Sequence, residues 1–305
     1  MYDSIIIGTG PGGYGAALYA ARYKMSVLVI GAQEGGMAAT AHSVQNYLGI
    51  EEISGQAFMQ NCRRQVENLG VQVINQNVKM LQKTETGFEV LLEDGTKQLG
   101  KTLILALGTA KRKLDIKGEK EFLGRGVSYC STCDGFFFKN KIVAVVGGSD
   151  SAVTASLHLA DVATKVYLIY RGSELRSEPI WQDELNRRTN IVQILERNIL
   201  EIQGTQKVEK VLLDAEYEGS KEISLDGVFI EIGSVPMISL LSNLQIALDD
   251  SNYIIVQDDM RTNVPGVYGV GDITTASNKF KQIITAGAEG AIAATTAYRF
   301  IKTGT

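Results

Sequence analysis

The chain has 305 residues, 45% hydrophobic and 21% charged, enough to bury the cores of about two domains of ordinary size. Its 34 acidic and 30 basic side chains leave a net charge of −4, which argues against a nucleic-acid binder, and its three cysteines are too few for a secreted disulfide scaffold. No apolar run approaches the ~20 residues that span a bilayer, and no basic region precedes the first apolar run at Ile5, so no membrane segment and no secretory signal are expected and the expected compartment is cytoplasmic.

In chain order, the apolar run Ser4–Ile7 is followed by a glycine-rich turn from Gly8 to Gly13, a helical stretch to Arg22 and a second apolar run, Val27–Ile30. The pattern recurs at Ile142–Val146, with a turn from Gly147 to Ala152, a helical stretch to about Ala163 and the run Val166–Ile169. Each is a βαβ unit of ~30 residues, the length of a dinucleotide-binding half. After the first unit, Phe88–Leu92 leads into a hairpin signal at Asp94-Gly95. After the second, Lys207–Ile232 repeats the strand–turn–strand pattern, so each nucleotide fold is expected to carry a small antiparallel sheet. Further apolar runs, Thr102–Leu107 and Val264–Val270, end in Gly108-Thr109 and Gly271-Asp272.

A polar stretch between Thr109 and Cys130, and the abrupt stop of the second sheet near Gly233–Pro236, mark the domain crossings. The expected fold is α/β, with two Rossmann-like dinucleotide-binding domains (three-layer ββα), one inserted in the other. Residues 1–111 and 236–305 form the outer, discontinuous domain and 112–235 the inserted one, joined by two short strands that can serve as a hinge.

Gly8-x-Gly10-x-x-Gly13, between a strand and a helix, allows a tight turn and close approach of a pyrophosphate to the helix N-terminus. The acidic residue usual at the end of the second strand is missing, since Ile30-Gly31 stands there; Glu34 is the candidate ribose contact. Cys130-Ser131-Thr132-Cys133 has the spacing of a redox dithiol that closes and reopens, with a helix N-terminus favouring the thiolate. The alternative, half a zinc site, needs four ligands, and only Cys62, His42 and His158 remain, at no helpful spacing. Asp134 either exchanges the proton of the dithiol or caps the helix. Cys62 reads as a packed free thiol, His158 as structural, His42 as either a flavin-region or a surface residue, and Trp181 as a helix anchor. Phe136-Phe137-Phe138 is expected to pack under the dithiol, any exposed member being free to meet a partner.

Gly8-Thr9-Gly10-Pro11-Gly12-Gly13, Gly35-Gly36, Asn46-Tyr47-Leu48-Gly49, Cys130-Ser131-Thr132-Cys133-Asp134-Gly135 and Pro265-Gly266-Val267-Tyr268-Gly269-Val270-Gly271-Asp272 together resemble the low-molecular-weight thioredoxin reductases, over essentially the full length. The resemblance implies an FAD-dependent disulfide reductase, a homodimer, whose inserted domain rotates so that the dithiol meets flavin and protein partner in turn. It implies FAD contacts at Gly8, Gly10, Pro11, Gly13, Glu34, Gly36, Asn46, Gly108, Gly271, Asp272, Lys281, Gln282 and Ile283. Among these, Asp272 is placed on the ribityl–pyrophosphate part, Asn46 near the isoalloxazine, and Gln282 at the start of the last helix facing the flavin. It also implies Cys133 as the flavin-facing thiol, Cys130 as the attacking thiol and Asp134 as the acid–base group.

The second nucleotide motif departs from the family. Ser149 stands in the middle of the Gly-x-Gly fingerprint. Tyr170-Arg171-Gly172-Ser173-Glu174-Leu175-Arg176 replaces the family's His-Arg-Arg-x-x-x-Arg, which reads the 2′-phosphate, and Thr154 replaces an acidic residue. NADPH is therefore expected to be a poor donor, as in family members that take electrons from ferredoxin, and Arg112, Lys113, Lys117, Lys120, Arg187 and Arg188 are candidate bases for docking that acidic protein. The expected substrate is thioredoxin or a similar small disulfide protein. The competing readings are an NADPH-dependent reductase with a divergent site, a flavoprotein feeding a peroxidase partner, and a non-catalytic redox sensor.

Overall fold

The computed structural model describes residues 1–304. The chain divides into two compact units, Met1–Ala110 with Pro236–Thr305, and Lys111–Val235. In chain order the elements of the first unit are β1 (Tyr2–Ile7), α1 (Pro11–Arg22), β2 (Val27–Ile30), α2 (Gly55–Glu67), β3 (Gln72–Ile74), β4 (Val78–Thr84), β5 (Gly87–Leu92) and β6 (Lys97–Leu105), and the crossing strand β7 (Thr109–Lys111) follows. The inserted unit has β8 (Val127–Ser128), α3 (Ser131–Asp134), β9 (Ile142–Val146), α4 (Asp150–Ala160), β10 (Lys165–Tyr170), α5 (Pro179–Asn186), β11 (Ile191–Leu195), β12 (Ile199–Gly204), β13 (Val208–Tyr217), β14 (Ser220–Ser224) and β15 (Gly227–Ile230). The return strand β16 (Ser234–Pro236) pairs with β7, and β17 (Val267–Gly269) and α6 (Ile283–Thr303) complete the outer unit.

In the outer unit β1 lies between β2 and β6, parallel to both, and its last four residues are buried, which is why Ile5–Ile7 is an uninterrupted apolar run. The sheet has seven strands, ordered β3-β2-β1-β6-β5-β4 with β17 also on β6. The expected small antiparallel sheet, β4-β5-β6, is continuous with the parallel strands. A single nine-residue strand, β6, pairs antiparallel with β5 through Lys97–Gly100 and parallel with β1 through Gly100–Leu105, so the hairpin and the apolar run Thr102–Leu105 are one element. Helices α1 and α6 cross at near backbone contact: a Cβ on Gly290 would stand 2.3 Å from the Gly12 carbonyl oxygen, and one on Gly15 2.6 Å from that of Gly287. Small residues at the crossing bring the two helices together against the same core.

The inserted unit has a five-stranded parallel sheet ordered β11-β10-β9-β15-β8, with a three-stranded antiparallel sheet, β12-β13-β14, beside it. Here the antiparallel sheet is separate, although the last apolar run of the strand–turn–strand region, Gly227–Ile230, leaves it for the parallel sheet next to β9. Trp181 packs partly buried against the core of this unit. No helix among the described residues is long and apolar enough to cross a membrane.

Candidate functional site

The first glycine turn lies where β1 gives way to α1. Gly8 has φ +123°, and a Cβ there would stand 2.1 Å from the carbonyl oxygen of Ala106, so only glycine lets this turn pass against the end of β6. At Gly10, by contrast, a Cβ would meet nothing within 4 Å. Pro11 brings no N–H and no side chain caps α1, so its first-turn donors and positive end are unmasked. Gly36 lies over the turn, its Cβ position 3.5 Å from the Gly10 Cα, and Gly108 has φ +64° with open space above it. Glu34 pairs with Arg63 at 2.8 Å, and Arg63 also holds Glu67 at 2.9 Å, so the candidate ribose contact is tied to α2.

Three residues expected near the flavin do converge. Asn46 Nδ2 donates to Gln282 Oε1 at 3.0 Å, and the Gln282 N–H donates to Thr285 Oγ1 at 3.2 Å, which fixes the start of α6 ahead of Ile283. Lys281 hydrogen-bonds the Tyr253 hydroxyl and lies 4.3 Å from the centre of its ring. The Asp272 carboxyl is raised above its ordinary range by burial, with Lys281 opposing, and no hydrogen-bond donor among the described residues reaches it. Next to it, buried Glu289 accepts the Gly271 N–H at 2.7 Å and the Ser277 hydroxyl at 2.7 Å. Burial pushes the Glu289 carboxyl up. Sequence reasoning missed Glu289; the available signal is a lone carboxylate among the small residues Ala286 to Gly290.

In the inserted unit Cys130 and Cys133 are joined by a disulfide, their Cα atoms 5.3 Å apart. Cys133 is exposed and Cys130 half-buried. Cys130 is the N-cap of α3, and its Sγ accepts the Cys133 N–H at 3.1 Å. The expected helix N-terminus is a single four-residue turn, so this one N–H, rather than a helix dipole, stabilises charge on Cys130. Ser128, buried in β8, accepts the Cys130 N–H at 3.0 Å and donates to Asp134 Oδ2 at 2.6 Å. Phe136 and Phe137 are 75% and 74% exposed, and only Phe138 packs inward, against Phe229, which corrects the expectation for the triplet. His158, half-buried on α4, stands beside the turn after the dithiol, its Nε2 3.5 Å from the Cβ position of Gly135. Among the described residues no group of three or more His, Cys, Asp and Glu side chains is placed to hold a metal ion. Cys62 is half-buried on α2, where burial pushes its thiol up to about 11, and His42 is exposed.

The second glycine turn, between β9 and α4, keeps its tight geometry at Gly147, which has φ +143°. The ring of Tyr170 lies against it: Cβ atoms on Gly148 and Gly172 would stand 2.5 and 2.6 Å from Tyr170 Cδ1 and Cε1. The Arg176 N–H donates to the Gly148 carbonyl at 2.6 Å and the Glu178 N–H to Asp150 Oδ1 at 2.7 Å, drawing residues 171–178 onto the turn. The Thr154 hydroxyl turns back to the Asp150 carbonyl at 2.8 Å. At the end of β15, with its carbonyl against Gly147, Glu231 is buried in an ion pair with Lys111. Of the six bases considered for an acidic partner, Lys117 pairs with Glu201 at 2.7 Å, Arg187 with Glu184 at 3.4 Å and Arg188 with Asp161 at 2.7 Å, so half of that charge is neutralised.

Two sheets, each with a run of parallel strands and a glycine turn at a strand-to-helix junction, and a surface disulfide that closes over two intervening residues define a dinucleotide-dependent disulfide oxidoreductase. The family described as pyridine nucleotide-disulphide oxidoreductase matches residues 2–290. A thioredoxin reductase of Treponema pallidum (strain Nichols) is 38% identical over 305 residues, spanning 99% of this chain and 98% of that protein. The crystal structure of Lactococcus lactis thioredoxin reductase matches with a TM-score of 0.94 and 36% identity, covering 99% of each chain. A ferredoxin-flavin thioredoxin reductase from Clostridium acetobutylicum matches with a TM-score of 0.53 and 32% identity, over 99% of this chain and 98% of that one. The chain belongs to the thioredoxin reductases of the pyridine nucleotide-disulphide oxidoreductase family, a family of FAD-binding oxidoreductases. The residues of the outer unit fit FAD: the open space over Gly10 with unmasked helix donors suits a pyrophosphate, and the unpartnered Asp272 carboxylate suits a ribityl hydroxyl.

Proposed function

We propose that this chain is an FAD-dependent thioredoxin reductase that works through Cys130 and Cys133 and does not take its electrons from NADPH. The observation that carries the first part is the surface disulfide itself, flanked by the exposed rings of Phe136 and Phe137, a setting suited to a protein disulfide substrate. Gly8, Gly10, Pro11, Gly13, Gly36 and Gly108 would hold the pyrophosphate end of FAD, Gly271 and Asp272 its ribityl chain, and Asn46, Lys281, Gln282 and Ile283 the isoalloxazine. Glu34 contributes by bracing α2 through Arg63. Bound FAD supplies a store for an electron pair.

The chain's own residues then carry out the exchange. With the dithiol reduced, the Cys130 thiol gives its proton to Asp134, and Cys130 Sγ bonds to one sulfur of the substrate disulfide as the substrate S–S bond breaks. The departing substrate sulfur takes that proton. Cys133 then attacks Cys130 Sγ, re-forming the Cys130–Cys133 bond and releasing the second substrate thiolate, which takes the Cys133 proton. The Cys133 N–H, 3.1 Å from Cys130 Sγ, favours the thiolate that starts the sequence.

Four features support a donor other than NADPH. Ser149 occupies the fingerprint, Tyr170 covers Gly148, Gly172 replaces a phosphate-gripping arginine, and Thr154 replaces an acidic residue, its hydroxyl turned back to the Asp150 carbonyl. Ferredoxin is the proposed donor, in keeping with the ferredoxin-flavin relative. The protein is further proposed to act in the cytoplasm as a homodimer. Anaerobic mixing of the oxidised protein with NADPH, NADH and reduced ferredoxin in parallel tests the donor. The flavin should bleach with ferredoxin alone; prompt bleaching at low micromolar NADPH would restore the pyridine nucleotide as donor.

A further inference from the structure

Ser128 sits where two parts of the redox centre meet. It lies in the two-residue strand β8, 4% exposed, two residues before Cys130. Its single hydroxyl accepts the Cys130 N–H at 3.0 Å and stands 2.6 Å from Asp134 Oδ2 and 3.3 Å from the Cys130 carbonyl. A hydroxyl has one hydrogen, and the shorter of the two acceptor distances assigns it to the carboxylate. The Cys130 N–H fills one lone pair of Oγ and so helps to orient the O–H toward Asp134. The Asp134 N–H in turn donates to the Cys130 carbonyl at 3.1 Å, closing the backbone of the turn on itself.

We propose that Ser128 is a positioning residue for disulfide exchange: it ties Asp134 Oδ2 to the backbone of Cys130 and so leaves Oδ1 as the oxygen that takes and returns the thiol proton. This rests on the reading of Asp134 as the acid–base group. A half-buried carboxylate on a one-turn helix has rotamer freedom of its own. The short O–H···O bond removes that freedom and orders the carboxylate relative to the nucleophile, because both are anchored on the same Oγ. In the exchange itself the proton leaves the Cys130 thiol for Oδ1 as Sγ bonds to the substrate sulfur, and it returns from Oδ1 to the departing sulfur. Ser128 keeps its own proton throughout.

The test needs no electron donor. The full-length protein is reduced with dithiothreitol, desalted anaerobically, and its single-turnover reaction followed with oxidised thioredoxin and with 5,5′-dithiobis(2-nitrobenzoate). If wild-type dithiol reduces neither disulfide, the proposed function fails and this inference with it. If it does, Ser128→Ala should lower the limiting rate with thioredoxin about tenfold, a fraction of the full value of a general acid–base group, with the half-saturating thioredoxin concentration unchanged. Ser128→Thr, which keeps the hydroxyl, should recover most of that rate. The deciding arm is the double variant. In an Asp134→Ala background, Ser128→Ala should change the rate by less than about twofold, because a residue that acts through Asp134 has nothing left to position. A Ser128→Ala rate within about twofold of wild type overturns the proposal, and so does a tenfold loss that persists without Asp134, which would mark Ser128 as holding only the Cys130 backbone.

Discussion

Lys111 and Glu231 form an ion pair almost withdrawn from water, with side-chain exposures of 23% and 7%, in the inserted unit beside the second glycine turn. Burial raises the Glu231 carboxyl above the usual range, and the attraction of Lys111 only partly opposes this. Removing one partner strands the other. Lys111→Met should therefore cost about 3–5 kcal/mol in urea unfolding, while the Lys111→Met/Glu231→Met double variant should return close to wild type. The pH dependence has a definite sign. A carboxyl whose folded pKa lies above its unfolded value stabilises the fold fully below the unfolded pKa, and that contribution is lost as pH rises through the folded pKa. The loss of stability as pH rises above the ordinary carboxylate range should accordingly be larger in Lys111→Met than in wild type, and smaller in Glu231→Gln. Equal slopes in all three would show that Glu231 titrates as an exposed acid.

Two glycines of the first turn, Gly8 and Gly10, separate folding from cofactor binding. A Cβ on Gly8 would lie 2.1 Å from the Ala106 carbonyl oxygen at φ +123°, whereas one on Gly10 would meet nothing within 4 Å. Gly8→Ala should destabilise the outer unit by more than about 3 kcal/mol, since both the backbone and the neighbouring strand would have to shift. Gly10→Ala should unfold within about 1 kcal/mol of wild-type apoprotein, yet retain FAD poorly because the added methyl stands over the turn. Melting curves of apoprotein and the flavin-to-protein ratio after purification measure the two effects independently. A yellow, stable Gly10→Ala protein would place the pyrophosphate elsewhere.

Much of this architecture is legible in the residues, and the exceptions have physical causes. Ser4–Ile7 and Ile142–Val146 read as strands because parallel strands covered on both faces are apolar throughout. β6 does not read as one strand: its first half, Lys97–Lys101, alternates with solvent while Thr102–Leu105 is fully buried, so one element resembles two. Cys130-x-x-Cys133 is legible since both partners lie within one turn of chain. The roles of Glu289 and Tyr170 are not, because they are a hydrogen bond and a ring contact made only when separate segments fold together, and that of Ser128 is not, because it depends on how a local turn aims Asp134. The tie of Glu34 to α2 through Arg63 is likewise invisible in the sequence, because the two lie on separate segments.

Glu289 locks the turn that carries Asp272. Its two oxygens take the Gly271 N–H and the Ser277 hydroxyl, and Ser277 begins a run of three residues, through Lys279, with positive φ. Glu289→Ala would leave both donors without an acceptor, at roughly 1–3 kcal/mol each, and should release FAD on dilution. Glu289→Gln keeps one acceptor oxygen and should hold FAD far better. Because burial raises the Glu289 carboxyl, the stability it contributes is lost as pH rises through its folded pKa, and the Gln variant should lose less stability than wild type over that range. Flavin fluorescence on dilution, read at two pH values, measures both; identical release from the Ala and Gln variants would exclude a carboxylate-specific role.

The two cysteines should separate by what they trap. Cys133→Ser leaves the Cys133 backbone N–H position, 3.1 Å from Cys130 Sγ in the oxidised protein, unchanged, so Cys130 keeps its thiolate stabilisation and its adjacent acid–base group. With the resolving sulfur gone, attack on oxidised thioredoxin stops at the first bond, and a stable mixed disulfide should accumulate toward one per dithiol site. Cys130→Ser removes the nucleophile that the Ser128–Asp134 pair serves, and Cys133, exposed but outside that hydrogen bonding, should trap thioredoxin at least about tenfold more slowly. Both variants should retain FAD, since every proposed flavin contact lies in the outer unit. Mass spectrometry of the trapped adducts, with the flavin spectrum as a folding control, gives the answer directly. Faster trapping by the Cys130→Ser protein would exchange the roles of the two sulfurs, and with them the reason for Asp134 to lie where it does.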